Sequence, residues 1–183
     1  MALDLVDLDE TTRGHMLSEL ESDLEEDALY MGKDLSESGR RRYPDFLKDA
    51  IESGDDSSLE ESLSEPGVFN AMGLRQGKPV KVPKNAPQRL AEGEFNRFYL
   101  RGLCLRAIDD GVNAVVVYRA RSSSNPRPES AALIGKTLIA GELLADLRSN
   151  PGVDTALGLP PGPNSGLSAR IPSPNELGVV GDA

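Results

Sequence analysis

Glu94, Arg97 and Arg101 are the three residues of this chain whose charges and spacing best suit chemistry. Residues three or four positions apart project from the same side of a helix, so these side chains share one face. Two guanidinium groups placed in this way can grip a phosphate or a partner's carboxylate, with Glu94 orienting them. The same pattern also fits a surface ladder of ion pairs, each stabilising the helix by roughly a few tenths of a kcal/mol. Both interpretations are open at this point.

A second group of arginines follows downstream. Arg119 and Arg121 end the segment VYRAR and lie on one side of a strand, because side chains two residues apart share a face. With Arg127 in the next loop, they form a predicted basic patch for nucleic acid or an acidic partner. The patch lacks aromatic residues for base stacking, so specific single-strand binding is not expected. A protein contact or a solvated strand end fits the pattern better.

The remaining residue types offer no recognisable catalytic motif. A single cysteine, Cys104, and a single histidine, His15, exclude an internal disulfide and a His/Cys metal site. Cys104 lies among apolar residues and is expected in the core, although a cysteine hydrolase using Cys104 and His15 is a sharper alternative. The sequence GPNSG at 162–166 is not a phosphate-binding loop, because no Lys-Ser/Thr follows it. We therefore predict a non-enzymatic protein without catalytic residues, metal or cofactor.

The first element that could position these residues is a helix from about Glu10 to Leu29, with Asp9 as its N-cap. Its apolar stripe consists of Met16, Leu17, Leu20 and Leu24. The opposite face is acidic and consists of Glu19, Glu21, Asp23, Glu25 and Glu26. Acidic residues near a helix C-terminus oppose the helix dipole, so this end is expected to fray or to meet a cation from Arg40, Arg41 or Arg42.

Two shorter helices follow in the acidic first third. YPDFLKDAIESG, residues 43–54, predicts a helix with Pro44 in its first turn and Gly54 as its stop. DDSSLEESLSEPG, residues 55–67, predicts a short helix that is capped by Asp55 or Asp56 and has an apolar pair at Leu59 and Leu63. Together the three helices form a small helical layer.

A long central helix is predicted from about Ala86 to Asp110, with Asn85 as N-cap and Gly111 as stop. An aromatic stripe at helical spacing marks its packed side, at Phe95, Phe98, Gly102 and Leu105. Gly93 and Gly102 each cost about 1 kcal/mol relative to alanine inside a helix. Close approach of another element at both glycines is therefore expected.

Strand signals surround this helix. Residues 67–84 predict a connector with a short edge strand at Val80 and Val82. Residues 112–119 form an apolar run that predicts a strand buried on both faces, and a further helix is predicted at 140–149. Residues 151–183 contain 6 prolines and 6 glycines without a helical or strand period, so they are expected to form an extended or disordered arm outside the core.

These elements predict an α+β fold that is mainly helical, with a long central helix packed against a small β-sheet and an extended Pro/Gly-rich C-terminal arm. A chain of 183 residues fits one domain with tails. The acidic helical segment, 1–66, and the central helix with its sheet, 67–150, belong to that domain. Residues 151–183 are the arm.

Charge is divided unevenly along the chain. Residues 1–66 hold 20 acidic and 6 basic residues, whereas residues 67–183 hold 10 acidic and 14 basic residues, for a net charge of −10. Such a division favours contacts between unlike protein surfaces and argues against binding of the whole molecule to DNA or an anionic membrane. The acidic N-terminus and the lack of a long apolar run predict neither a signal peptide nor a membrane span.

Three segments together resemble a group of poorly characterised proteins associated with tailed bacteriophages and prophages. They are LDETTRGHMLSEL, the central LAEGEFNRFYLRGLCLRAIDDGV, and VVVYRAR with the downstream NPRPES. The likeness covers roughly residues 8–130, and two of its recurrent motifs, a central helix and a V-Y-R-A strand, fall at 94–103 and 117–120. It implies a virion or head-assembly setting and carries over no binding or catalytic residue.

The leading functional expectation is a structural or assembly protein of a tailed phage or prophage virion, assembled in the bacterial cytoplasm. Its expected partners are head, portal or connector proteins, and it is expected to be a homo-oligomer or part of a larger assembly, without membrane or nucleic-acid contacts. One alternative is an acidic regulatory or nucleic-acid-mimic protein that uses residues 1–66 on a basic host surface. Another is a small enzyme that binds a phosphorylated substrate through Arg97, Arg101 and Arg119.

Overall fold

The computed structural model describes residues 2–122, 128–152 and 166–177. In these ranges the chain has an α+β fold with seven helices and five strands. Their order is α1 (Glu10–Glu25), α2 (Glu37–Ser53), α3 (Asp56–Leu63), β1 (Met72–Arg75), β2 (Lys78–Lys81), α4 (Ala86–Asp109), β3 (Ala114–Arg119), α5 (Pro128–Ala131), β4 (Thr137–Ile139), α6 (Ala140–Ser149), β5 (Leu167–Arg170) and α7 (Pro174–Leu177).

Helix α4 organises the fold, as predicted. It packs against α1, α3 and α6 and against strands β3 and β5. Phe95 and Phe98 on its packed side are fully buried. The helix ends before Gly111, whose φ of +72° suits a glycine stop. Asn85 occupies the N-cap position, but its side chain makes no capping hydrogen bond.

The two glycines inside α4 have different surroundings. A Cβ atom at Gly102 would lie 2.7 Å from Met16 Cγ and 2.9 Å from the Thr12 carbonyl oxygen. Gly102 therefore allows α1 to approach α4 closely. Around Gly93, apart from its chain neighbours and the nearby backbone of α4, no atom lies within 4 Å of a Cβ position. The predicted packing reason is confirmed for Gly102 and wrong for Gly93.

Helix α1 begins where the sequence predicts, because the Asp9 side chain accepts a hydrogen bond from the Thr12 amide at 3.0 Å. It ends at Glu25, before the predicted end at Leu29. Leu24, placed on the apolar stripe, is 43% exposed, whereas Glu19, placed on the acidic face, is buried. The helix is rotated so that an acidic residue faces α4.

Helix α2 begins at Glu37, earlier than predicted, with Ser36 accepting a capping hydrogen bond from the Gly39 amide at 2.9 Å. Pro44 therefore lies inside the helix, and the prediction that it occupies the first turn is wrong. A proline there costs one backbone hydrogen bond, which tertiary packing offsets. Helix α3 follows the prediction, with Asp55 as its cap.

The main sheet is antiparallel and has the strand order β4–β3–β5. Its central strand β3 confirms the strand predicted from the run of valines. Val115 lies opposite Leu138 of β4, and Val117 lies opposite Ala169 of β5. Both valines are buried, as is Val116 on the other face. Burial on two faces explains why the run does not alternate with polar residues.

Strand β5 corrects the prediction that residues 151–183 lie outside the core. Leu167 and Ala169 are buried in the same core as the helices. Two side chains of α4 hold the strand: Asn96 Nδ2 donates to the Leu167 carbonyl at 2.9 Å, and Tyr99 Oη donates to the Ala169 carbonyl at 3.1 Å. The strand has four residues, too few to show a period in Pro/Gly-rich surroundings.

Strands β1 and β2 form a separate hairpin where the sequence predicts one short edge strand. Val80 lies in β2 as predicted, whereas Val82 follows the strand. Gln76 and Gly77 form the turn, with φ angles of 49° and 75°. Both strands are largely exposed. The hairpin therefore stands apart from the main sheet.

Candidate functional site

The polar face of α4 meets α1 in a buried cluster of ion pairs. Arg101 donates from Nε to Glu19 Oε2 at 2.6 Å, and from Nη1 and Nη2 to the two Asp23 carboxylate oxygens at 2.6 and 2.8 Å. Its side chain is 4% exposed, and its guanidinium carbon lies 4.9 Å from the centre of the Phe98 ring. A guanidinium held on all these sides is a fixed structural group.

Glu19 connects this cluster to a third helix. Arg148 of α6 donates to Glu19 from Nε at 3.0 Å and also from Nη2. Burial would raise the pKa of the Glu19 carboxyl, but the hydrogen bonds and charges of Arg148 and Arg101 outweigh burial and hold the pKa below its ordinary value. The ionised carboxylate therefore joins α1, α4 and α6.

Arg97 lies one turn before Arg101 and faces the end of α6. Its Nη1 donates to the Asn150 carbonyl at 2.8 Å and to the Leu147 carbonyl at 3.4 Å, and its Nε lies 3.4 Å from Glu94 Oε1. The last carbonyls of a helix carry partial negative charge, so a cation there stabilises the helix. The buried Arg97 guanidinium therefore caps α6.

Glu94, a member of the cluster, and Tyr43 are both buried away from water. Burial raises the pKa of the Glu94 carboxyl to about 7, although the charges of Arg97 and Arg101 oppose that change. Tyr43 is fully buried, and its hydroxyl has no hydrogen-bond partner in the described ranges. Burial, followed by the charge of Glu94, raises the pKa of Tyr43. The raised pKa of Glu94 makes stability depend on pH near neutrality.

The structure describes two of the three arginines of the predicted basic patch, Arg119 and Arg121. Arg121 forms an ion pair with Glu92, which also accepts a hydrogen bond from Gln88 at 2.9 Å. Arg119 is partly buried at the end of β3. Arg127 lies outside the described residues. A shared partner-contact role for Arg119, Arg121 and Arg127 therefore stays a prediction.

The other residues that the sequence singles out do not assemble into a reactive group. Cys104 is buried as predicted, and burial raises the pKa of its thiol to about 12, so the thiol stays protonated. His15 Nε2 lies 3.7 Å from Asp109 Oδ2. Where the structure is described, no group of three or more His, Cys, Asp or Glu residues could hold a metal, and no helix is long and apolar enough to cross a membrane. Residues 162–165 of GPNSG lie outside the described ranges.

Three members of the ion-pair cluster were not predicted as site residues: Glu19, Asp23 and the half-exposed Arg148. One signal was present, because Glu19 and Asp23 have the same spacing as Arg97 and Arg101, which would identify two complementary helix faces. Arg148 had no comparable signal. Its role depends on where α6 docks, which the local sequence does not determine.

Two segments of opposite sign carry several exposed charges that form no ion pair in the described structure. The basic hairpin, residues 72–84, contains no acidic residue and carries Arg75, Lys78, Lys81 and Lys84. The acidic helix end, residues 21–27, carries Glu21, Glu25, Glu26 and Asp27 on the exposed surface. Among the described residues, none of these eight side chains forms an ion pair.

In comparisons with protein-family models, curated proteins and solved structures, no match to this chain was found.

Proposed function

We propose that this chain is a non-enzymatic structural or assembly protein of a tailed phage or prophage virion, and that it binds head, portal or connector proteins. The setting is supported by the resemblance of residues 94–103 and 117–120 to phage-associated proteins. The role is supported by one structural observation. Arg97 and Arg101 hold helices of the chain together, whereas eight exposed charges of the basic hairpin and the acidic helix end form no ion pair among the described residues.

The buried cluster suits this role because it fixes three helices relative to one another. Glu19 of α1 contacts Arg101 of α4 and Arg148 of α6, so the helices cannot slide without breaking charged hydrogen bonds. A subunit with a rigid body presents its contact surfaces in a constant arrangement. Complementary charged surfaces then supply orientation and partner choice more than raw affinity.

Virion composition tests the proposal directly. Particles from a phage or induced prophage that encodes the chain are purified on a density gradient, washed at high salt and analysed by quantitative mass spectrometry. We expect a constant ratio of this chain to the major capsid protein across preparations, while an abundant cytoplasmic host protein is depleted at each step. Absence of the chain from intact virions and from assembly intermediates contradicts the proposal.

The acidic helix end supports a second candidate, a regulatory or nucleic-acid-mimic protein that binds a basic host surface. Residues 1–66 are a poor test fragment, because Met16, Leu20 and Leu59 lose their buried environment without α4. The full chain should instead be compared with the E25K/E26K variant in capture of a host enzyme and inhibition of its activity. Equal inhibition by both proteins excludes this role for the acidic helix end.

The enzyme alternative assigns phosphate binding to Arg97, Arg101 and Arg119. The structure places the first two in buried contacts with Glu94, Glu19 and Asp23. Thermal unfolding across a panel of phosphorylated ligands tests whether the chain binds any of them. A ligand that binds only the folded state raises the unfolding temperature. An unchanged temperature throughout the panel counts against it.

A further inference from the structure

The hairpin has one free apolar face. Met72 and Leu74 lie on the same face of β1, and the β-sheet register places Lys81 and Pro79 opposite them. Met72 is 53% exposed and Leu74 is 71% exposed. On the other face, a Cβ atom at Gly73 would lie 2.7 Å from Asp34 Oδ1, so that side rests on the chain itself.

A hairpin of this kind gains stability from a partner. Two strands alone are marginally stable in water, and this pair forms a sheet without a third strand in the described structure. Lysines and a proline protect strand edges from further strand pairing, so Lys78, Pro79 and Lys81 disfavour an added strand. The face with Met72 and Leu74 is therefore the surface of the hairpin that a partner can bind.

The acidic helix end has complementary properties. Leu24 is partly exposed, and the exposed Glu21, Glu25, Glu26 and Asp27 lie within three residues of it in the sequence. These carboxylates lie at the negative end of the α1 dipole, and the last turn of α1 contains no basic residue. Cations from elsewhere would stabilise this end.

The arginines predicted to meet the acidic helix end have other partners. Arg41 forms an ion pair with Glu37, and Arg42 forms one with Glu65. Arg40 donates a hydrogen bond to the Gly32 carbonyl at 3.4 Å. The acidic helix end therefore remains available to cations of another molecule.

We propose that the basic hairpin of one copy docks on the acidic helix end of a second copy. Leu24 packs against Met72 and Leu74, and Lys81, which lies on the same face of the hairpin, meets the carboxylates of the acidic helix end. A second copy is the occupant because this chain itself supplies both complementary surfaces, which form no ion pair with each other in the described structure. The inference rests on the proposed assembly role for its biological setting.

Nucleic acid fits the hairpin less well. Residues 72–84 contain no aromatic side chain on which a base could stack, and the chain carries a net charge of −10. The proposed contact joins two different surfaces, so it forms a ring or a chain of copies unless two copies exchange hairpins about a two-fold axis.

Charge reversal in the full-length chain tests the contact. Sedimentation velocity and light scattering should show self-association at about 0.05 M NaCl that weakens at about 0.5 M NaCl, where the Debye length falls well below 10 Å. K78E/K81E and E25K/E26K should each weaken self-association about tenfold or more. A mixture of the two variants should restore association, because each then supplies the surface that the other needs.

Matched variants separate this contact from general charge effects. K136E and E61K reverse exposed charges outside both surfaces and should associate like the unmodified chain. Circular dichroism confirms that each variant is folded. A chain that stays monomeric at every concentration, equal association of all variants, or a mixture that stays monomeric overturns the inference. Binding of DNA that K78E/K81E abolishes, without self-association, also overturns it.

Virion content separates this inference from the proposed function. A monomeric chain found in purified virions overturns the self-contact and leaves the assembly role standing. A self-associating chain that is absent from virions and assembly intermediates supports the contact and overturns the assembly role.

Discussion

Asp23 on α1 accepts two hydrogen bonds from the Arg101 guanidinium on α4, at 2.6 and 2.8 Å. This pair belongs to a cluster of ion pairs in which Glu19, Asp23 and Glu94 meet the buried Arg97 and Arg101 and the half-exposed Arg148. Buried ion pairs often add little stability relative to apolar residues, but loss of one member leaves a charge without compensation. The cluster therefore makes the docking of α1, α4 and α6 sensitive to single substitutions.

Arg101→Leu should destabilise the fold strongly, because Asp23 loses its bidentate partner and Glu19 loses one of two arginines. We expect a loss of about 3–5 kcal/mol in the free energy of unfolding, measured by urea denaturation. Arg41→Ala is the matched control, since it breaks an exposed ion pair with Glu37 and should cost less than about 1 kcal/mol. Equal effects of the two substitutions would show that burial of the cluster contributes nothing.

Gly93→Ala and Gly102→Ala should change stability in opposite directions although both lie in α4. Alanine at Gly93 meets no atom of another element within 4 Å and should stabilise the helix by up to about 1 kcal/mol. Alanine at Gly102 meets Met16 and the Thr12 carbonyl oxygen and should destabilise the protein by roughly 1–3 kcal/mol. Thermal unfolding of the two variants measures both effects. A stabilising Gly102→Ala substitution would contradict the close packing of α1 on α4.

Long periodic elements could be predicted from the sequence, because their signals are local. The helix predicted from Ala86 to Asp110 is α4, and the valine run is β3, since helical spacing and β-branched residues identify such elements directly. The start of α2 could not be predicted in the same way. Its first turns contain Gly39 and three arginines, and the Ser36 cap and packing against the rest of the chain determine it.

The candidate site could be predicted only in part, because its chemistry depends on burial. The face shared by Glu94, Arg97 and Arg101 follows from helical spacing, but spacing does not show whether that face meets solvent or another helix. Burial of Glu19 decides the question, and it requires the tertiary contact of α1 with α4. Strand β5 escaped prediction for a similar reason, since Asn96 and Tyr99 of α4 hold it in place.

Tyr43→Phe and Tyr99→Phe should change the free energy of unfolding differently, although each removes one buried hydroxyl. Tyr43 Oη has no hydrogen-bond partner in the described structure, so its removal relieves a desolvation cost and should leave stability unchanged or raise it by about 1 kcal/mol. Tyr99 Oη donates to the Ala169 carbonyl and accepts from the Asp7 amide, so its removal should cost about 1–2 kcal/mol. Urea denaturation at one pH compares them. A larger loss at Tyr43 would indicate a hydrogen bond to that hydroxyl.

Glu94 should make the protein less stable as pH rises toward neutrality. Its pKa is about 7 in the folded protein against an ordinary value of 4.5, so the folded state keeps the proton that the unfolded state has already lost. Stability should therefore fall by about 2–3 kcal/mol as pH rises from 4.5 to about 8. Glu94→Gln should flatten this part of the stability curve, measured by urea midpoints against pH. An unchanged slope would assign the dependence to another group.

Glu19 should produce the opposite dependence at acid pH. Arg148 and Arg101 hold its pKa below the ordinary value of 4.5, so its contribution to stability is present above that pH and is lost as pH falls through the folded pKa. Glu19→Gln should lower stability at neutral pH, because two arginines lose their shared charge, and should remove part of the acid decline. Glu61→Gln is the control, since Glu61 is exposed and has no ion pair in the described ranges. If stability falls equally at acid pH in Glu19→Gln and in the unmodified chain, protonation of Glu19 does not cause the fall.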